Sequence, residues 1–235
     1  MDRRDLLKML GLSAAAFGTG QIPAALPEPR RKLLAVILDV SGSMDAVRES
    51  IVSSFNDYVD ALRDEPLVVC LSKFNTTCQP YFWGVPIAEL PKMTVSEYVP
   101  AGSTALYDAI AQTINDINGE LRGCKVPVLC QVITDGREND SRETTLTQAK
   151  ELISNREATG HWTFAYMSSS PDLWDEAYLI GTQVGNTVHY LCSPAGVRGA
   201  MGGLGRIHRN WSQSTANATT SLYGGARDLT GEDPE

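Results

Sequence analysis

Short apolar runs alternate with longer amphipathic segments along most of the chain. The runs at 33–38, 67–74 and 126–134 are almost continuously apolar and end at polar residues. This pattern is typical of strands that are buried on both faces of a parallel sheet. Segments 47–62 and 105–121 carry apolar side chains at the three- and four-residue spacing of one helix face. The first half of the chain therefore predicts buried strands joined by amphipathic helices.

The same alternation continues through the second half of the chain. It predicts further helices over 143–157 and 172–182, and further strands over 81–85, 162–167 and 187–191. Residues 75–77 (Asn-Thr-Thr) have turn chemistry, so we expect the 81–85 strand to return antiparallel to the strand before it. Strands that alternate with helices predict an α/β fold. We expect a doubly wound, Rossmann-like, mostly parallel sheet with one antiparallel edge strand and helices on both faces.

Changes in composition divide the chain into four predicted parts. A proline-rich stretch that ends in a basic triplet marks a linker before the first strand. Apolar residues keep a helical spacing after the last strand despite several glycines, and the final residues are polar and acidic, which is typical of disorder. The predicted parts are a signal segment and linker at 1–32, the α/β domain at 33–192, a helical extension at 193–223 and a disordered acidic tail at 224–235.

The N-terminal segment resembles a twin-arginine export signal. Residues 3–8 read Arg-Arg-Asp-Leu-Leu-Lys, and a mildly apolar stretch follows them. That stretch is shorter than the run of about 20 apolar residues that crosses a bilayer, so we expect no transmembrane segment in the mature chain. The resemblance implies an exported, periplasmic protein. The alternative interpretation is a frayed N-terminal helix on a cytoplasmic protein.

The charge distribution and the cysteine count argue against nucleic-acid binding and against a fully paired set of disulfides. The net charge is −8 and the acidic and basic residues are interspersed, which argues against nucleic-acid binding because such proteins carry a basic stripe. The five cysteines form no Cys-x-x-Cys pair, and their odd number excludes complete pairing within the chain. We expect buried free thiols. A link between Cys70 and Cys78 is the alternative for an exported domain.

Small oxygen-bearing side chains follow the predicted strands at three places. Asp39, Ser41 and Ser43 come after the first strand, Thr104 begins the 105–121 helix, and Asp135 follows the 126–134 strand. Ligands of open α/β sheets bind outside the carboxyl ends of the strands, so we expect these side chains to meet there. Oxygen ligands without imidazole or thiolate favour a hard cation, with Mg²⁺ as the first candidate. A helix N-cap explains the serines alone, but it does not explain Thr104 and Asp135.

Together these segments resemble the metal-ion-dependent adhesion site of von Willebrand factor A domains. That pattern is Asp-x-Ser-x-Ser, a distant Thr and a later Asp, in this order. Segments 104–110, 133–139 and 161–164 are similar to a bacterial branch of the family, and the resemblance covers residues 33–191. The resemblance implies a divalent cation, with Mn²⁺ and Ca²⁺ as the alternatives to Mg²⁺.

The resemblance also implies a role for each position. It implies direct coordination by the Ser41 and Ser43 hydroxyls, and coordination by Thr104 that becomes direct when a ligand is bound. Asp39 and Asp135 would act largely through ordered waters. Neutral hydroxyl ligands leave most of the cation's charge uncompensated, so an Asp or Glu carboxylate of a protein partner can complete the coordination. The predicted function is metal-dependent protein binding, and the sequence assigns no oligomeric state.

An enzyme is the alternative interpretation, either a hydrolase or an accessory subunit of a metal-dependent enzyme complex. The sequence has no Walker A loop and no Gly-x-Ser-x-Gly nucleophile elbow. Ser41 stands where a haloacid-dehalogenase-like phosphatase requires a second Asp. His161, His189 and His208 fall in predicted strands or in the late helix, away from the strand ends. We therefore predict no catalytic residues and expect the histidines to be packing or surface residues.

Overall fold

Strands and helices alternate as the hydrophobic pattern predicts. The structure is a computed structural model, and it describes residues 6, 8–11 and 31–229. The strands are β1 (Lys32–Asp39), β2 (Leu67–Phe74), β3 (Cys78–Pro86), β4 (Val128–Thr134), β5 (Trp162–Ser168) and β6 (Thr187–His189). The helices are α1 (Arg48–Leu62), α2 (Leu106–Leu121), α3 (Leu146–Glu157), α4 (Leu173–Ile180) and α5 (Pro194–Gln213).

The six strands form one sheet in the order β3-β2-β1-β4-β5-β6. Every neighbouring pair is parallel except β2 and β3, which form the antiparallel hairpin at one edge. The chain passes from β1 outward to β2 and β3, and then returns to the other side of β1 for β4. This reversal creates a topological switch point between β1 and β4, which is where doubly wound folds bind ligands. The predicted fold class is confirmed.

The sheet is covered by helices on both faces. Side chains of α1 and α5 share one buried cluster with alternate residues of the central strands, and side chains of α2, α3 and α4 share the other. Strand β1 is buried along its whole length because both of its faces are covered. These two layers hold the carboxyl ends of β1 and β4 in a fixed relation.

A neutral polar network, which we call the Gln131 network, crosses the first of these clusters. The His208 ring on α5 contacts the Tyr58 hydroxyl through Nδ1 at 2.7 Å and the side-chain amide oxygen Oε1 of Gln131 through Nε2 at 3.3 Å. The Tyr223 hydroxyl donates to the same Gln131 oxygen at 2.8 Å. Because that oxygen can only accept, Nε2 carries the proton and Nδ1 accepts from Tyr58. His208 is therefore a packing residue with both ring nitrogens satisfied.

The two edges of the sheet differ from the sequence prediction. Strand β3 begins at Cys78 rather than 81, and it includes Pro80 and a Gly84 with φ of 66°. An edge strand tolerates both residues because one of its sides makes no ladder hydrogen bonds. Strand β6 ends at His189 rather than 191, where the chain turns toward α5.

The predicted tail and signal segment lie only partly within the described residues. Residues 224–229 do not match the predicted disorder, because Leu229 is buried and donates its N–H to the His189 carbonyl at 3.0 Å. Residues 230–235 lie outside the described part, as do both arginines of the twin-arginine-like motif. Leu6 and Leu10 are described, and both are buried in the cluster that contains α2.

The cysteines form no disulfide within the described residues. All five cysteines lie within the described part and are free, so the alternative Cys70–Cys78 link is not formed. Cys70 and Cys130 are buried as expected, whereas Cys192 is exposed.

Of the helices in the described ranges, none combines the length and the apolar character that crossing a bilayer requires.

Candidate metal centre

The candidate site lies at the switch point of the sheet. Asp39 is the last residue of β1 and Thr134 is the last residue of β4, and these strands are parallel neighbours. The loop after β1 continues into a 3-10 turn, Gly42–Val47, that leads into α1. Neighbouring strand ends thus place the loop after Asp39 beside the loop that begins at Asp135.

The Asp39 carboxylate is fully buried and held in one orientation. Its Oδ1 accepts a hydrogen bond from the Ser41 backbone N–H at 2.6 Å, and its Oδ2 accepts one from the Thr134 hydroxyl at 2.5 Å. The Asp39 backbone carbonyl accepts from the buried Tyr98 hydroxyl at 2.6 Å. These hydrogen bonds fix the loop after β1 without the help of a ligand.

The serine hydroxyls connect this loop to Asp135. Ser41 Oγ lies 3.2 Å from Ser43 Oγ, and the Ser43 hydroxyl donates to Asp135 Oδ1 at 2.7 Å. Ser41 is buried and Ser43 is exposed, so the row of oxygens runs from the interior to solvent. The other oxygen of Asp135 lies 3.9 Å from the Cys192 thiol.

Thr104 completes the group of residues that the sequence singled out. A methyl group built on Gly136 would lie 3.4 Å from Thr104 Oγ1 and 3.9 Å from Ser43 Oγ. The glycine therefore leaves open the space that these two hydroxyls face. The structure brings together Asp39, Ser41, Ser43, Thr104 and Asp135, which we call the rim cluster.

The electrostatics of the rim cluster favour a cation. Burial raises the pKa of Asp39 to about 6, although hydrogen bonds from Thr134 and Ser41 lower it, and the nearby Asp135 raises it further. Burial also raises the pKa of Asp135 against the hydrogen bond from Ser43. Among the described residues, no Lys, Arg or His side chain forms an ion pair with either carboxylate. A buried carboxylate without a cationic partner is costly, and a bound divalent cation would supply the missing charge.

The composition of the cluster agrees with a hard cation. Among the residues that the structure describes, no three His, Cys, Asp or Glu side chains form a group that could hold a metal. A cation at the rim would therefore depend on hydroxyl oxygens as well as on the two carboxylates. A hydroxyl that donates its proton to a carboxylate, as Ser43 does to Asp135, keeps its lone pairs available for a metal. The residues fit an ion such as Mg²⁺.

Sequence reasoning missed three neighbours of the site. Thr134 is the last residue of the apolar run 126–134, and its hydroxyl donates a hydrogen bond to the Asp39 carboxylate. Tyr98 lies in a loop without periodic pattern, and its contact with Asp39 spans 59 positions of the chain, so no local signal indicates it. Asn139 is the last residue of segment 133–139, and its side-chain oxygen accepts a hydrogen bond from the Thr104 backbone N–H at 2.8 Å.

Similarity to known proteins is found among solved structures. No protein-family model matches the chain, and no curated protein matches it. The fold is similar to a von Willebrand factor type A protein from Catenulispora acidiphila, with 14% identity and a TM-score of 0.53 over 74% of this chain and 42% of that one.

Two further solved structures have a similar fold. Proximal thread matrix protein 1 of the mussel byssus has 16% identity and a TM-score of 0.57 over 76% of this chain and 46% of that one. The pilus adhesin SpaC of Lactobacillus rhamnosus GG, in its open conformation, has 10% identity and a TM-score of 0.60 over 75% and 30%. The chain thus spans less than half the length of each of these proteins. At this identity the likeness shows the fold alone, and that fold is the one found in von Willebrand factor A domains.

Proposed function

We propose that this chain is a metal-dependent protein-binding module of the von Willebrand factor A type. In this proposal the rim cluster holds a divalent cation, most readily Mg²⁺, with Mn²⁺ and Ca²⁺ as alternatives. The cation would supply an open coordination position for an Asp or Glu carboxylate of a protein partner. The observation that carries the proposal is the fully buried Asp39 carboxylate, which lies beside a second carboxylate and a row of hydroxyls.

The solvent exposure of the rim-cluster side chains supports binding of a group from a partner protein. Asp39, Ser41 and Thr104 are buried, whereas Ser43 is exposed and Asp135 is half-buried. A ligand that approaches from solvent therefore meets the Ser43 and Asp135 side of the cluster first. In this proposal the direct ligands are neutral hydroxyls, and Asp39 and Asp135 act largely through ordered waters, so the cation still favours an anionic group from a partner.

The similar folds are compatible with an interaction module outside the cytoplasm. One of them is named as a pilus adhesin and another as a thread matrix protein. By analogy of fold we propose that this chain is exported and acts on a protein partner, with the binding domain at residues 33–192 and no catalytic residues. Fold alone does not name a partner, so the proposal is tested with a minimal ligand.

A peptide pair tests the proposal directly. The probes are Gly-Gly-Glu-Gly-Gly and the isosteric Gly-Gly-Gln-Gly-Gly, both with blocked termini, titrated by NMR in Mg²⁺ and in chelator. We expect the Glu peptide to bind only in Mg²⁺ and to shift resonances of the rim cluster, because its carboxylate supplies the negative charge that the cation favours and the Gln amide does not. The Gln peptide should not bind under either condition.

Matched variants separate coordination from folding. Ser41→Ala and Thr104→Ala each remove one predicted ligand oxygen, and we expect both to weaken Mg²⁺-dependent binding. Ser53→Ala, a substitution of an exposed α1 serine, should bind like the wild type. Equal binding of the Glu peptide with Mg²⁺ and with chelator, or no effect of the two ligand variants, would contradict the proposal.

A further inference from the structure

Residues 138–144, which we call the clasp, follow Asp135 and lie against the start of α2. Asn139 makes two reciprocal hydrogen bonds with Thr104. Its side-chain Oδ1 accepts from the Thr104 N–H at 2.8 Å, and its own N–H donates to the Thr104 carbonyl at 3.0 Å. Both polar groups of the Thr104 backbone are therefore held by one residue, 35 positions away in the chain.

The clasp also supplies the N-terminal cap of α2. This helix has no capping side chain of its own, so its first N–H groups need acceptors from elsewhere. Glu138 Oε2 accepts from the Tyr107 N–H at 3.0 Å, and Ser141 Oγ accepts from the N–H groups of Tyr107 and Asp108 at 3.1 and 3.2 Å. The start of α2 is thus fixed by the segment that follows β4.

Helix α2 in turn holds the far end of the clasp. The Asp108 carboxylate accepts hydrogen bonds from the backbone N–H groups of Arg142, Glu143 and Thr144, the shortest of them 2.6 Å to Thr144. Burial raises the pKa of Asp108, but these backbone donors outweigh it and the pKa is lowered. Contacts in both directions make the clasp and the first turn of α2 one rigid unit.

This unit joins two members of the rim cluster that belong to different loops. Asp135 and Asn139 lie in the same loop after β4, and Asn139 holds Thr104 at the start of α2. We propose that Asn139 is a positioning residue of the metal centre, which fixes the Thr104 hydroxyl relative to Asp135 and so sets the affinity for the cation. This inference rests on the proposed function, because it assumes that the rim cluster binds a cation.

Substitution of Asn139 tests the inference through cation binding alone. We expect Asn139→Ala to weaken Mn²⁺ binding about tenfold by calorimetry, the low end of the loss typical when a residue that supports a metal ligand is removed. Asn139→Asp keeps the Oδ1 acceptor and should restore most of the affinity. Asn115→Ala, a substitution of an exposed asparagine on α2, is the matched control and should bind like the wild type.

A second readout separates positioning from general stability. Without cation, the Thr104 N–H should exchange with solvent faster in Asn139→Ala than in the wild type or in Asn139→Asp. Ser141→Ala removes one of the two side-chain acceptors for the start of α2 but leaves both Thr104 hydrogen bonds. We expect it to lower the free energy of unfolding without the tenfold loss of Mn²⁺ affinity.

The outcomes distinguish this inference from the proposed function. Wild-type protein that binds no Mn²⁺ would overturn both. Wild-type binding together with unchanged affinity in Asn139→Ala would overturn the positioning role alone. Equal losses in Asn139→Ala and Ser141→Ala would also overturn it, because they would show an effect of clasp stability rather than of Thr104.

Discussion

The rim cluster and the Gln131 network are two buried polar regions that differ in charge. The Gln131 network is neutral, whereas the rim cluster contains carboxylates. In the Gln131 network the polar atoms of His208, Gln131 and Tyr58 are paired with one another and all are neutral. In the rim cluster the hydrogen bonds to the Asp39 carboxylate are shorter, 2.5 and 2.6 Å, but that carboxylate forms no ion pair with a side chain of the described residues. One region is complete within the chain, whereas the other lacks a positive charge.

Under the proposed function, burial serves structure in the Gln131 network and cation binding in the rim cluster. A buried network in which every group is satisfied stabilises one arrangement of the helices and the sheet. A buried carboxylate that is hydrogen-bonded but not neutralised costs stability until a cation arrives. Burial lowers the pKa of His208 to about 3 and raises that of Asp39 to about 6. Burial favours the neutral form in both cases, so the two regions respond oppositely to pH.

The largest expected effect is the pH response of the cation-free protein. His208 has a lowered pKa in the folded state, so its contribution to stability is complete above 6.5 and is lost as the pH falls toward about 3. Asp39 has a raised pKa, so its contribution grows as the pH falls from about 6 toward 3.8. Each changes the free energy of unfolding by about 1.4 kcal/mol per pH unit within its own window. In the wild type the two changes oppose each other between pH 6 and 3.8, so removal of Asp39 exposes the response of His208.

Asp39→Asn removes the contribution of the Asp39 carboxyl to the pH dependence of the free energy of unfolding. In chelator we expect the variant to be more stable than the wild type near pH 7, and to lose about 3 kcal/mol relative to it between pH 6 and 3.8. Urea denaturation at several pH values measures the difference. Asp45→Asn, a substitution of an exposed carboxylate in the adjacent turn, is the control. The same relative loss in that variant would assign the pH response to overall charge and remove the contrast between the two regions.

The second effect is stabilisation by the cation. At a Mg²⁺ concentration 100 times its Kd, the free energy of unfolding of the wild type should rise by about 2.7 kcal/mol. Asp39→Asn should gain almost nothing, because the buried charge that the cation balances is gone. Thermal unfolding with and without Mg²⁺ checks this. An equal rise in both proteins would show that Mg²⁺ acts elsewhere on the surface.

The sequence predicts the rim cluster better than the Gln131 network, for a physical reason. Parallel strands bring their carboxyl ends to one edge, so residues that follow separate apolar runs can be assigned to one place before the structure is known. Asp39 and Asp135 are predicted on that basis, and Thr104 by its place at the start of the 105–121 helix; the structure brings the three together. The fold class follows from the same periodicity, since buried runs and amphipathic segments alternate.

The Gln131 network gives no such signal. Gln131 is a single polar residue within an apolar run, and its partners lie 77 and 92 positions later in the chain. Which side chain meets it depends on how α5 crosses the sheet, and the glycine-rich sequence of α5 does not determine that packing. The extent of β3 was missed for a related reason, because its Pro80 and Gly84 are tolerated only at an edge.

The smallest expected effect tests whether the two regions are independent. Tyr58→Phe removes the donor to His208 Nδ1 and leaves a buried acceptor unsatisfied, so we expect a loss of about 1–2 kcal/mol in the free energy of unfolding. Tyr178→Phe is the matched control, since Tyr178 is 76% exposed and its hydroxyl is solvated. The gain in stability with saturating Mg²⁺ should be the same in Tyr58→Phe as in the wild type. A smaller gain would show that the network and the rim cluster are coupled through the sheet.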